Sequence, residues 1–141
     1  MKHEQLTGKI IEVFFEVYNE LGHGFLESVY ENAMRLALAD VKLFVQPKQS
    51  LQVFFRGTVV GMFEPDLTVD NTVILEIKAA RAIDSAHEAQ LLNYLRATDI
   101  EVGLLLNFGP KPEFKRLVFD NDRKRQSAAD AGIPAGVPAH G

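Results

Sequence analysis

The fold of this chain turns on one stretch, Glu64-Pro65-Asp66-Leu67-Thr68-Val69-Asp70-Asn71-Thr72-Val73-Ile74-Leu75-Glu76-Ile77-Lys78. Two β-rich runs meet at Asp70-Asn71-Thr72, where turn-forming residues interrupt the apolar pattern. Centring the turn on Asn71 pairs Leu67 with Leu75 and Val69 with Val73 on one face. It also sets Asp66 opposite Glu76 and Glu64 opposite Lys78. A slip of one residue would place Asp66 against an apolar neighbour and mix the faces, so segregation of hydrophobic side chains selects the first register.

That register has a chemical consequence. Carboxylates directly opposed across a hairpin, with Cβ atoms ~5 Å apart, destabilise the sheet unless something compensates them. A shared proton is one compensation. Converging carboxylates with open coordination positions are a better match to Mg²⁺ or Mn²⁺, which prefer hard oxygen ligands and keep bound waters. Glu76 and Lys78 are two apart and share a strand face, so the ammonium can sit beside a metal-bound water or a phosphate oxygen. In outline this is a phosphodiester-cleaving arrangement. Taken alone, an E-x-K tripeptide reads as a solvated surface pair and Pro65-Asp66 as a strand edge or bulge; the strength lies in the combination.

Upstream, Leu6, Ile10, Val13, Phe14, Val17 and Leu21 recur at helical spacing with Glu12, Glu16 and Glu20 between them, and Gly22 supplies a stop. A second helix is expected from Leu26 to about Ala39, burying Leu26, Val29, Tyr30, Ala33, Leu36 and Ala37. Residues 41–78 read as an antiparallel meander of four runs, 43–46, 51–55, 59–69 and 72–78. A third helix over about 85–98 has Leu91, Leu92 and Leu95 as its apolar side, with Ser85 and Glu88 as a capping box. His87, Gln90 and Tyr94 form a polar stripe on it. The almost wholly apolar run 102–108 suits a strand covered on both faces, and 116–119 a short edge strand. The order ααββββαββ fits an α/β (α+β-like) domain with a mixed sheet flanked by helices over residues 1–126. Residues 127–141 hold five Ala, three Gly and two Pro, which predicts a flexible tail.

Composition narrows the chemistry. The 141 residues suffice for one domain with its own core. The absence of cysteine excludes disulfides, thiolate metal sites and a cysteine nucleophile. A net charge of −4 argues against bulk electrostatic attachment to nucleic acid, although residues 111–125 carry six basic side chains that could guide a strand. No signal pattern or membrane-length apolar run is present, so a cytoplasmic protein without membrane attachment is expected.

The motif Gly24-Phe25-Leu26-Glu27-Ser28-Val29-Tyr30 resembles the naming motif of the GxxExxY family, placed in the PD-(D/E)XK nuclease superfamily. The supporting segments are Pro65-Asp66-Leu67, Val73-Ile74-Leu75-Glu76-Ile77-Lys78-Ala79, Gln90-Leu91-Leu92-Asn93-Tyr94-Leu95 and Val102-Gly103-Leu104-Leu105-Leu106-Asn107-Phe108-Gly109. The resemblance implies a restriction-endonuclease-like core in which Asp66 and Glu76 are metal carboxylates and Lys78 the catalytic lysine. Glu27 corresponds to the helical acidic residue, and Gln90 with Tyr94 to a Q-x-x-x-Y element. It further implies Mg²⁺ or Mn²⁺ held by Asp66, Glu76, Glu27 and the Ile77 carbonyl, with Gln90 positioning the strand or the lysine. Tyr94 would brace the strand or stack on a base, and His87 is structural or substrate-facing. The expected activity is metal-dependent hydrolysis of nucleic acid, DNA first. The alternative is a catalytically silent nuclease-fold module that binds nucleic acid or a protein. A third reading is an interaction protein working through exposed apolar surface, since Phe54, Phe55 and Phe63 crowd the meander and could meet a second subunit or a protein partner; a homodimer is compatible with either of the first two.

Overall fold

The computed structural model describes residues 3–124. Along the chain the elements are α1 (Glu4–Leu21), α2 (Glu27–Asp40), β1 (Val45–Pro47), β2 (Leu51–Phe55), β3 (Thr58–Phe63), β4 (Leu67–Val69), β5 (Val73–Lys78), α3 (Ser85–Ala97), β6 (Val102–Phe108) and β7 (Pro112–Val118). Five strands therefore separate α2 from α3, where the sequence pattern predicts four. The run 59–69 is broken at Glu64-Pro65-Asp66, because Pro65 has no N–H to give to a ladder. The expected tail at 127–141 lies outside the described residues. Among the described residues no helix is long and apolar enough to cross a membrane.

Five strands form one sheet in the order β1-β4-β5-β6-β7, and β2 and β3 form a separate hairpin. All neighbours are antiparallel except β5 and β6, which run parallel and are joined through α3. This corrects the single meander. β1 pairs with β4, from Val45↔Val69 to Pro47↔Leu67, and so satisfies the outer edge of a strand whose three residues are all buried. The β2–β3 hairpin instead folds over the α3 side, where Leu51 and Phe63 pack against the cluster that holds Ile74, Leu91 and Leu95. At the decisive turn the register is Leu67↔Leu75, Thr68↔Ile74 and Val69↔Val73, as hydrophobic segregation requires. The ladder ends there. Glu64 lies between strands, so its expected pairing with Lys78 does not form.

Alternation along the central strands sorts the two cores. Val73, Leu75 and Ile77 of β5, with Val102, Leu104, Leu106 and Phe108 of β6, pack with Ile10, Val13, Phe14 and Val17 of α1 and Tyr30, Met34 and Leu38 of α2. Ile74 and Leu105 pack with Leu91 and Leu95 of α3. Period two thus puts Glu76 and Lys78 on the α3 face. All seven residues of β6 are buried, as a strand covered on both sides must be. The carboxyl-terminal edge strand β7 is longer than the 116–119 expected from sequence.

Two helix details differ from the sequence pattern. The buried stripe of α2 is Tyr30, Met34 and Leu38, while Leu26, Val29 and Leu36 are exposed. The Tyr30 ring stacks on Phe108, with centroids 4.1 Å apart and planes 12° apart, and this contact sets the helix's rotation about its axis. The N-cap of α3 is Asp84 rather than Ser85. Its Oδ1 accepts from the Ala86 N–H at 2.8 Å, and the box is closed by His87 rather than Glu88, Nδ1 accepting from the Asp84 N–H at 3.3 Å.

Candidate active site

The site forms where β4 stops short and β5 continues. Beyond Leu75 the strand has no β4 partner, and the Asp66 side chain takes its place: Oδ2 accepts from the Ile77 N–H at 2.8 Å. Asp66 and Glu76 are thereby brought together as neighbouring carboxylates. Glu76 Oε1 is buried with no hydrogen-bond partner. Burial first, and the Asp66 charge second, push the Glu76 carboxyl up to about 8, against the opposing pull of Lys78. A carboxylate in this condition is an acceptor without a cation.

On the α3 side, Glu76, Lys78, His87, Gln90 and Tyr94 line one cleft of about 140 Å³, closed by Phe63, Leu91 and Leu105. The polar stripe of α3 and the polar face of β5 therefore meet, as their spacings imply. Phe63 lies flat on Tyr94, centroids 3.6 Å apart and planes 5° apart. One face of the Tyr94 ring is thus covered from within the chain, and Phe63 is committed to the cleft wall rather than to an outer surface. The cap bond at Nδ1 makes neutral His87 the Nε2–H tautomer, a hydrogen-bond donor in the cleft lining.

Glu27 is not part of that lining. It stands at the first turn of α2, exposed, with Oε2 accepting from the Ala79 N–H at 3.4 Å, just past the end of β5. The Gly24–Tyr30 motif explains how it gets there. The Tyr30 hydroxyl donates to the Gly22 carbonyl at 2.6 Å and accepts from the Phe25 N–H at 3.3 Å, fixing the corner from which α2 starts. Gly22 and Gly24 have φ of +68° and +114°, which glycine adopts without a Cβ penalty. Ile77 contributes its backbone at the open edge, while its side chain is buried in the opposite core.

Three further residues meet the candidate site residues, and the motifs give none of them a role. Lys48 Nζ reaches Asp66 Oδ1 at 3.1 Å and Glu31 Oε1 at 3.5 Å. Partial burial lowers the Lys48 pKa, but the bonds and charges of Asp66 and then Glu31 outweigh it and hold the ammonium above its usual value. Burial and then Asp66 push the Glu31 carboxyl up, with Lys48 opposing. Glu31 is one helical turn beyond Glu27, which is the signal that could have found it. The third is Asn107, fully buried and paired in register with Lys78. Its Oδ1 accepts from the Ala80 N–H at 2.9 Å and its Nδ2 donates to the Ala80 carbonyl at 3.0 Å, bracing the chain as it leaves Lys78. Gly109 is required beside it, since a Cβ there would stand 2.4 Å from the Ala80 carbonyl oxygen.

The donor set is one of hard oxygens. The partnerless oxygen of Glu76 beside Asp66 fits a divalent cation. Among the described residues, no three His, Cys, Asp or Glu side chains are grouped closely enough to hold a metal by themselves, so a filled shell calls on backbone oxygen and water as well. Several of the described basic residues of the stretch from Lys111 are engaged elsewhere. Lys124 is buried, donating to the Thr98 and Ile100 carbonyls at 2.7 and 2.9 Å; Arg116 bonds Thr7 and Arg123 covers Phe119.

Residues 4–117 match the family described as the PD-(D/E)XK nuclease superfamily. The solved structure of SSO0001 superposes with a TM-score of 0.52 at 17% identity, over 79% of this chain and 59% of that one, a likeness of fold. This chain thus spans about three fifths of that protein's length. An alkaline exonuclease from Laribacter hongkongensis aligns over 97% of this chain and 84% of its own, with a TM-score of 0.42 and 11% identity. Curated protein sequences give no match.

Proposed function

Since the chain belongs to the PD-(D/E)XK nuclease superfamily, we propose that it hydrolyses phosphodiester bonds of nucleic acid, DNA first, with Mg²⁺ or Mn²⁺ held by Asp66 and Glu76. The observation that carries this is the buried, partnerless Glu76 oxygen next to Asp66, with Lys78 on the same strand face. A folded scaffold gains nothing from that arrangement. The Ile77 carbonyl is a further ligand, because the N–H and C=O of one strand residue point to the same edge and this edge is open beyond Leu75. Glu27 joins through water from the start of α2. The Gly24–Tyr30 motif supports a place for the chain in the GxxExxY group.

A divalent ion so held supplies Lewis acidity and a bound water of lowered pKa. The chain does the rest. Lys78 neutralises charge building on the scissile phosphate, a role worth a few kcal/mol, roughly 3, when preorganised. The Gln90 amide positions the strand and the His87 Nε2–H is a second donor to it. Tyr94, backed by Phe63, forms a flat wall against which a base can rest. A second reading, a nuclease fold that only binds, is favoured by one observation: both Asp66 oxygens already have protein partners.

Cleavage assays on single-stranded, duplex and flapped DNA and on RNA, with Mg²⁺ or Mn²⁺, separate the two. Asp66→Ala and Lys78→Ala should each lower the rate at least about a hundredfold without loss of fold. Activity that survives both substitutions excludes this site, and a wild-type protein that binds oligonucleotide but never cuts favours the binding module.

A further inference from the structure

We propose that Lys48 is the internal counter-cation of this site: its ammonium neutralises Asp66 and Glu31 in the metal-free protein and withdraws from Asp66 when a divalent ion is held there. The inference rests on the metal-site reading and adds to it a positioning residue from outside the acid and lysine motif. Lys48 follows β1 and donates to Asp66 twice, from its backbone N–H to the Asp66 carbonyl at 3.3 Å and from Nζ to Oδ1 at 3.1 Å. Its φ of +51° lies in the left-handed region, which side-chain-bearing residues enter at a cost, and these bonds offset that cost.

The distribution of partners makes Lys48 exchangeable. Asp66 Oδ2 is engaged by the Ile77 N–H, so Oδ1, the oxygen Lys48 holds, is the one a cation can contest. Two carboxylates share one ammonium, while Glu76 Oε1 has no partner at all. Exposure is also unequal. The Lys48 side chain is 55% exposed, against 16% for Asp66 and 21% for Glu31. The lysine can therefore swing into water while the carboxylates stay, and Glu31 keeps it tethered nearby. Lys48 stabilises the metal-free protein and, by the same charge, weakens its hold on a divalent ion.

Calorimetric titration of Mn²⁺ into the metal-free protein tests this, comparing wild type with Lys48→Met, Lys48→Gln, Lys48→Arg and Asp66→Asn. Removing a unit charge beside a divalent ion at a largely hydrated surface should tighten Mn²⁺ binding on the order of tenfold in Lys48→Met and Lys48→Gln, and less in 0.5 M salt. Lys48→Arg should bind as wild type does. Thermal melts supply a readout independent of catalysis: the neutral variants melt lower than wild type without metal, and the difference closes at saturating Mn²⁺. Equal or weaker Mn²⁺ binding in a folded neutral variant overturns the role of Lys48 and leaves the metal site standing. Absence of binding to wild type up to millimolar Mn²⁺, or binding that Asp66→Asn leaves intact, overturns the metal reading and this inference with it.

Discussion

Protonation and stability are linked at Glu76. Its carboxyl is held at about 8 in the folded protein against an ordinary value of 4.5, so between those two values the folded state binds the proton that the unfolded state has lost. The contribution is fully present below pH 4.5 and is lost as pH rises through about 8. Metal-free protein should therefore melt at progressively lower temperature from pH 5 to pH 8.5, losing on the order of 3 kcal/mol from this group. Glu76→Gln should flatten the profile and melt higher than wild type at pH 8.5, while lacking cleavage activity. A wild-type profile that stays flat across that range would sink the assignment. The carboxylates of this pair were legible because strand alternation and the turn at Asn71 leave one register that keeps apolar side chains together. Lys48 and Glu31 were not, because they reach Asp66 only through the β1–β4 pairing and the docking of α2, neither of which has a local signal.

At the scale of elements, legibility followed the same divide. α1 shows a clean apolar stripe and a glycine stop, and β6 an unbroken apolar run, so both could be read directly. The partner of β1 could not, because it is chosen by which edge needs covering, some twenty residues away. The buried face of α2 follows the pattern at Tyr30, Ala33 and Ala37 and departs from it at Leu26, Val29 and Leu36, because the alanines and leucines offer two stripes of similar apolarity and Tyr30 stacks on Phe108. Under the proposed function Tyr30 also matters to the site. Tyr30→Phe keeps the ring and removes the hydroxyl that ties Gly22 and Phe25, so it should cost about 1 kcal/mol of stability. Because the tie sets where Glu27 meets the end of β5, cleavage at a temperature well below the melt should fall about threefold or more, with oligonucleotide affinity little changed. A melting-point loss with an unaltered cleavage rate would confine Tyr30 to the core.

For the whole molecule, the proposed function makes the balance of charge decide how nucleic acid would be engaged. At the open end of β5, Glu27, Glu31 and Asp66, joined by Glu76 above about pH 8, outnumber Lys48 and Lys78. Two of the described basic residues of the later stretch, Arg116 and Lys124, are turned to other partners. Lys111 lies at the site's end of the sheet, since Asn107 pairs with both Lys78 and Glu113, but Arg116 leans on α1 and Lys124 is buried between backbone carbonyls. The chain as a whole is acidic, at −4. Phosphate therefore meets a favourable field only when a divalent ion offsets the carboxylates. Fluorescence anisotropy with a labelled single-stranded oligonucleotide should show binding at least about tenfold tighter in Ca²⁺, a hard cation that prefers oxygen ligands, than in EDTA. The affinity in Ca²⁺ should fall only shallowly with added KCl, with a logarithmic slope of about −2 or smaller in magnitude, because few lysines or arginines release counterions. Tight binding in EDTA with a steep salt slope would mean that a basic surface, rather than the carboxylate site, holds the strand.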